Sequence, residues 1–195
     1  MEKEGLLIIM SGPSGVGKGT IRRQVMRDAS LNLVYSISMT TRKKRKNEKD
    51  GLDYFFISDE QFDLLVANND FLEWAEFVGH RYGTPKKYVD DLRKQGKNVL
   101  LEIEVEGTKQ VLKKCRGSNV LSIYLIPPSF ADLENRIRHR STEPEHIMQK
   151  RLKKAQREMQ LKHHYEHVVL NDNPQRAGKE IRTIIKNKIN ATLIK

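Results

Sequence analysis

The chain has 195 residues with a formal net charge of +11; 37% of the residues are hydrophobic, 31% are charged, and there is one cysteine. That length supports one domain with a sizeable core, while no run reaches the apolar length of a membrane span and the lone Cys115 cannot close an internal disulfide. The opening Met1-Glu2-Lys3-Glu4 is too acidic and the apolar run after it too short for a signal peptide, so a reducing, cytoplasmic setting is expected and a membrane role is not. The excess positive charge fits either nucleic acid or an anionic substrate. No aromatic residues interleave the basic stretches as a single-strand platform requires, so phosphate-bearing small molecules are expected rather than nucleic acid.

In chain order, the apolar run 6–10 predicts a buried parallel strand. It enters Ser11-Gly12-Pro13-Ser14-Gly15-Val16-Gly17-Lys18-Gly19-Thr20, where four glycines in eight residues demand a loop. A basic helix over 18–28 follows. Glycine-lined backbone N–H groups and a helix N-terminus bind phosphate, and Lys18 adds a mobile charge for the outer phosphates. Strands are then expected over 33–38 and 53–57, separated by the basic loop 40–51. Ser58 and Gln61 have capping-box spacing ahead of a helix to about 68. A strand over 71–78, a short return over 79–83 and a helix over 85–94 complete what reads as an inserted α+β subdomain. Beyond residue 98, strands at 99–105, 120–126 and 167–170 alternate with helices at 108–115, 129–140 and 174–195 and with a long basic one to about 164 that follows the polar break 141–145. Ser129 is placed as an N-cap with Asp132 at the third position. Such alternation argues for a parallel sheet with helices on both faces.

Glu102, Glu104 and Glu106 fall at period two, which in a strand puts them on one face, about 6.5–7 Å apart. Either they line a solvated edge, or they face the phosphate loop and hold a hydrated magnesium ion or a ligand donor group. Arg42 and Arg45 are either solvated loop arginines or, joined by Tyr54 and Tyr82, a second anion site. Arg136 and Arg140 share a helix face, and with Arg151 would suit a segment closing over phosphates. The six histidines show no metal-ligand spacing.

Several ordered motifs together resemble the guanylate kinase family over nearly the whole chain. They are Gly12-Pro13-Ser14-Gly15-Val16-Gly17-Lys18, Ser36-Ile37-Ser38-Met39-Thr40-Thr41-Arg42, Gly51-Leu52-Asp53-Tyr54-Phe55-Phe56 and Phe71-Leu72-Glu73-Trp74-Ala75. Tyr82-Gly83-Thr84, Leu101-Glu102-Ile103-Glu104-Val105-Glu106-Gly107, Pro127-Pro128-Ser129, Arg140-Ser141-Thr142-Glu143 and Val169-Leu170-Asn171-Asp172 continue the match.

The resemblance implies an α/β P-loop kinase core, with a five-stranded parallel sheet flanked by helices, an inserted α+β GMP-binding subdomain and a helical lid. One domain would span 1–195: core 1–36, 91–129 and 158–195, GMP-binding subdomain 37–90, lid 130–157. It implies Mg-dependent, reversible phosphoryl transfer from ATP to GMP. Gly12, Pro13, Ser14, Gly15, Val16, Gly17, Lys18, Gly19, Thr20 and Asn171 would bind ATP. Arg42, Arg45, Tyr54 and Tyr82 would hold the GMP phosphate. Ser38, Glu73 and Thr84, with Gly83 and Glu102 close by, would read guanine. Lys18, Arg136, Arg140 and Arg151 would stabilise the transferring group. Two departures stand out. Gly19 sits where many phosphate loops have a hydroxyl, so Thr20 and Glu104 are expected to meet the magnesium ion only through water. Ser141 stands where the family often has glycine, which would stiffen the lid hinge. A kinase for another base, a non-catalytic module of the family and a nucleic-acid binder are the rival readings. The residues do not distinguish a monomer from a homodimer.

Overall fold

A computed structural model describes residues 4–77, 79–115, 119–140 and 144–193. In chain order the first half comprises β1 (Leu7–Ser11), α1 (Lys18–Val25), β2 (Leu33–Tyr35), β3 (Met39–Thr40), β4 (Phe55–Phe56), α2 (Asp59–Ala67), β5 (Phe71–Phe77), β6 (His80–Pro85) and α3 (Lys86–Lys94). The second half comprises β7 (Asn98–Glu102), α4 (Val105–Lys114), β8 (Val120–Ile126), α5 (Phe130–Arg140), α6 (Glu145–Met159), β9 (His167–Leu170) and α7 (Pro174–Leu193).

Strand β1 is buried along its whole length. It is the middle strand of a parallel sheet ordered β2-β7-β1-β8-β9. Side chains alternate across a strand, so its neighbourhood builds two cores. Leu6, Ile8 and Met10 join Ile21 and Val25 of α1, Ile181 and Ile185 of α7, and Ile137 and Leu152 of α5 and α6. On the other face Leu7 and Ile9 join Val89 of α3, Val111 of α4 and Leu72 of β5. The segment expected to be a lid therefore contributes buried aliphatics to the main core. Among the described residues no helix is long and apolar enough to cross a membrane.

A second sheet, ordered β4-β3-β6-β5, forms from the inserted residues. Helix α2 closes it, opened by the expected capping box at Ser58 and Gln61. Phe62 of α2 packs on Phe71 with ring centroids 4.5 Å apart.

The structure corrects several expected bounds. The strand over 33–38 is divided: β2 stops at Tyr35, and β3 begins at Met39 in the other sheet. The helix expected to 28 ends at Val25. The helix expected after the break 141–145 and on to about 164 starts already at Glu145 and ends at Met159, with a separate turn of 3-10 helix over Lys162–His164. The acidic strand is the consequential one. Strand β7 ends at Glu102, and α4 starts at Val105 with Glu104 as its N-cap. Glu102, Glu104 and Glu106 thus do not share a strand face. Glu104's carbonyl accepts the first helical hydrogen bond from Thr108 (3.0 Å), and Glu106 lies exposed in the first turn, paired with Lys109 at 2.8 Å. An acid there complements the helix dipole.

Asn98 joins the sheet edge to the segment before β1. Its Oδ1 accepts from Leu6 N (2.8 Å) and its Nδ2 donates to Leu31 O (2.7 Å), all buried. Asn98→Ala would leave two buried backbone groups unpaired, so we expect a loss of about 2–4 kcal/mol in urea unfolding.

Candidate active site

The loop between β1 and α1 is held from behind. Gly17, the N-cap of α1, takes φ 102°, and a Cβ there would stand 2.8 Å from Asn171 Nδ2. That left-handed backbone favours glycine, and the close approach excludes larger residues. Asn171, just past β9, is buried; its Nδ2 donates to Val16 O (2.7 Å). Arg136 of α5 donates to Val16 O (3.3 Å) and Asn171 O (2.9 Å). Arg151 of α6 donates to Ser14 Oγ at 3.3 Å. Two of the three arginines expected to act on phosphate thus brace the loop itself; Arg140 ends α5, and its side chain lies outside the described residues. So do Ser141, the expected hinge difference, and Thr142 and Glu143.

Lys18 arches back to donate to Gly12 O at 2.8 Å and lies 3.4 Å from Glu104 Oε1. Glu104 also meets Lys154 of α6 at 3.0 Å. Burial alone would raise Glu104's carboxyl, but the two lysines outweigh it and hold it below the ordinary value. Glu102 meets Arg22 of α1, with Arg22 Nε 3.2 Å from Oε2. Burial keeps Glu102 above the ordinary range despite Arg22, Lys18 and Arg23. Thr20, the other residue expected near magnesium, accepts from Arg23 at 3.3 Å.

A cavity of about 320 Å³ joins this loop to the small sheet. Ser14, Lys18, Glu102, Ile103 and Glu104 line it from the core, with Tyr35; Ser38, Tyr54, Glu73, Ala75 and Tyr82 line it from the insertion. Glu73 and Thr84 are cross-strand partners in β5 and β6, with Tyr82 opposite Ala75 and Gly83 opposite Trp74. Glu73 is 6% exposed, and Thr84 Oγ1 donates to its Oε1 at 2.5 Å. A hydroxyl has one proton, so in this arrangement Thr84 orients Glu73 rather than donating to a ligand. Burial pushes Glu73's carboxyl up to about 7. The carboxylate lies against Gly107 in α4, where a Cβ would stand 2.4 Å from Glu73 Oε2.

Arg42 forms a fork with Glu48 at 2.7 and 3.0 Å, and its guanidinium stands 5.4 Å from the Tyr54 ring centroid. Tyr54 and Tyr82 meet edge-on at 5.9 Å. The structure brings these three together but not the Arg45 side chain, which is exposed; only Arg45's backbone N–H joins, bonding Glu48 at 2.9 Å. The fork holds Glu48's carboxyl down at about 2. Sequence reasoning overlooked Glu48, Gly107, Arg22 and Tyr35 as parts of this region. Only Gly107, beside the acidic run, carried a signal: glycine inside the first turn of a helix is costly without a reason.

Glu73's folded pKa lies above its unfolded value, so its proton-linked stabilisation is complete below the unfolded pKa and is lost as pH rises through about 7. Glu73→Gln removes that loss. We expect the variant to match the parent near pH 4 and to exceed it by about 1–3 kcal/mol at pH 8 in urea titrations.

Comparison with known proteins gives the wider setting. The family model described as guanylate kinase matches residues 4–188. A guanylate kinase of Mycoplasma capricolum is 50% identical over 183 residues, covering 94% of this chain and 61% of that protein. The chain thus spans about three-fifths of that relative's length. A guanylate kinase of Aster yellows witches'-broom phytoplasma is 49% identical over 186 residues, covering 95% and 88%. The crystal structure of guanylate kinase from Anaplasma phagocytophilum superposes with a TM-score of 0.76 at 31% identity, covering 95% of this chain and 87% of that one. With the family model spanning 4–188 and a relative 49% identical over 95% of this sequence, the chain belongs to the guanylate kinase family.

Proposed function

We propose that the chain transfers the γ-phosphoryl group of ATP reversibly to GMP, giving ADP and GDP in purine nucleotide metabolism. The observation that carries this reading is one cavity lined by both Lys18 and the buried Glu73. Its lining suits the two substrates. Backbone N–H groups at the start of α1, with Lys18, take the polyphosphate of ATP. Asn171, on the far side of the loop, stands toward the adenine. Guanine presents N1–H and an exocyclic amine, and the Glu73 carboxylate accepts both. Ser38 retains its hydroxyl proton for O6, with Thr84 holding Glu73 in place. Adenine reverses the donor pattern and would leave a buried carboxylate unpaired, a mismatch that can discriminate by about 10⁴–10⁵.

The GMP phosphate takes Glu48's place on the Arg42 fork, with Tyr54 and Tyr82 as hydroxyl donors and Arg45 drawn in from solvent. Lys18, Arg136, Arg140 and Arg151 offset the charge that spreads over the transferring group, a chemistry of positioning and charge neutralisation. Thr20, Glu102 and Glu104 are the side-chain oxygens beside Lys18. Each carboxylate already faces cations, Arg22 for one and Lys18 with Lys154 for the other. That donor set fits magnesium carried in on ATP oxygens and water, with Thr20 and Glu104 touching its waters. When bound, the ion neutralises charge on the outer phosphates. A half-buried single thiol at Cys115 suits a cytoplasmic location.

A panel of nucleoside monophosphates assayed with ATP and magnesium tests the reading: diphosphate should form from GMP and not from AMP, and an AMP or pyrimidine preference would overturn it. Lys18→Ala should lower turnover by about 10²–10³ or more with the melting temperature little changed. Glu73→Gln should raise KM for GMP while KM for ATP stays within about twofold, as a lost charged acceptor implies.

A further inference from the structure

The cavity is lined by more acid than Glu73 alone, since Glu102 and Glu104 also face it, and the source of its order lies in α1. Lys18 and Arg22 are four residues apart, so they share one face of that helix. They reach two carboxylates at the end of β7: Lys18 meets Glu104, and Arg22 meets Glu102. The Arg22 guanidinium also lies 4.0 Å from the centroid of Tyr35, whose ring lines the cavity. Its Nε is buried and makes no straight hydrogen bond, although it stands 3.2 Å from Glu102 Oε2. A built Cβ at Gly19 would lie 3.6 Å from Glu102 Oε1, so the first turn of α1 passes directly beside this carboxylate. Among the described residues no donor bonds Oε1.

We propose that Arg22 is a positioning residue for the base of the acceptor nucleotide, holding the Glu102 carboxylate against the cavity so that it accepts a hydrogen bond from the exocyclic amine of guanine. This rests on the reading of GMP as acceptor substrate. Guanine has three N–H hydrogens on N1 and N2. Glu73 can take the N1–H and one amine hydrogen, which leaves the second amine hydrogen for another acceptor. Glu102 lines the same cavity. Arg22 fixes the carboxylate by charge on one oxygen and by stacking on Tyr35, and leaves the other oxygen to the ligand. The helix that begins at the phosphate loop thereby also orders the base pocket.

The test compares GMP with IMP, which lacks the exocyclic amine. Calorimetry on the intact chain should show Arg22→Gln weakening GMP binding by about tenfold or more, the scale of a charge-assisted hydrogen bond. IMP binding should change less than about twofold, because IMP never used that acceptor. In the coupled assay, KM for GMP should rise with kcat within about threefold and KM for ATP unchanged, and Arg22→Lys should recover much of the loss. Equal weakening of GMP and IMP, unchanged binding of both, or a fall in kcat alone would overturn the proposal. A parent chain that binds GMP without forming GDP would refute the proposed reaction and leave the positioning role standing. A parent that binds GMP no better than IMP would refute the positioning role.

Discussion

The arrangement of this molecule turns on keeping an ionisable carboxylate at Glu73 in a place that resists it. Taking a charge out of water is costly unless it is paired or hydrogen-bonded. Here the compensation is partial: Thr84 hydrogen-bonds the carboxylate and Lys114 acts on it only through charge, and burial outweighs both. The consequence is a carboxyl whose affinity for a proton is raised toward neutrality by its surroundings. An acceptor left in that state is ready for a ligand that brings its own N–H donors. The β5–β6 register, which sets Thr84 opposite Glu73, and the bare α-carbon of Gly107 are both conditions for it.

The rest of the site follows the opposite policy. Lys18, Arg22 and Arg42 are each matched by a carboxylate, Glu104, Glu102 and Glu48 respectively. Cations gathered in one region would otherwise repel one another. Pairing each with an acid lets them be assembled before the ligand arrives. The proposed reaction therefore proceeds through exchange of partners at Arg42, where phosphate displaces a carboxylate, but through addition at Glu73, where nothing is displaced.

Much of this was legible in the residues. The glycine loop after β1, the parallel core and the strands at 120–126 and 167–170 follow from apolar runs bounded by glycine, proline or polar residues, and the structure has those two strands at those bounds. The end of β7 was not legible, because Ile103 and Val105 continue the alternation a strand would show while the backbone has already turned into α4. Side-chain partners between distant segments were harder still. Glu48 lies in a charged stretch where nothing separates it from its neighbours, and Arg22 reads as one more cation on a basic helix. Only the register of two strands, β5 and β6, reveals that Thr84 spends its proton on Glu73.

The contact between Gly107 and Glu73 also constrains what position 107 can carry. A side chain at 107 would start within 2.4 Å of the Glu73 carboxylate. A methyl group at 107 would therefore oblige the Glu73 side chain to shift. The place of this acid is set from outside its own strand, by the bare α-carbon of a neighbouring helix.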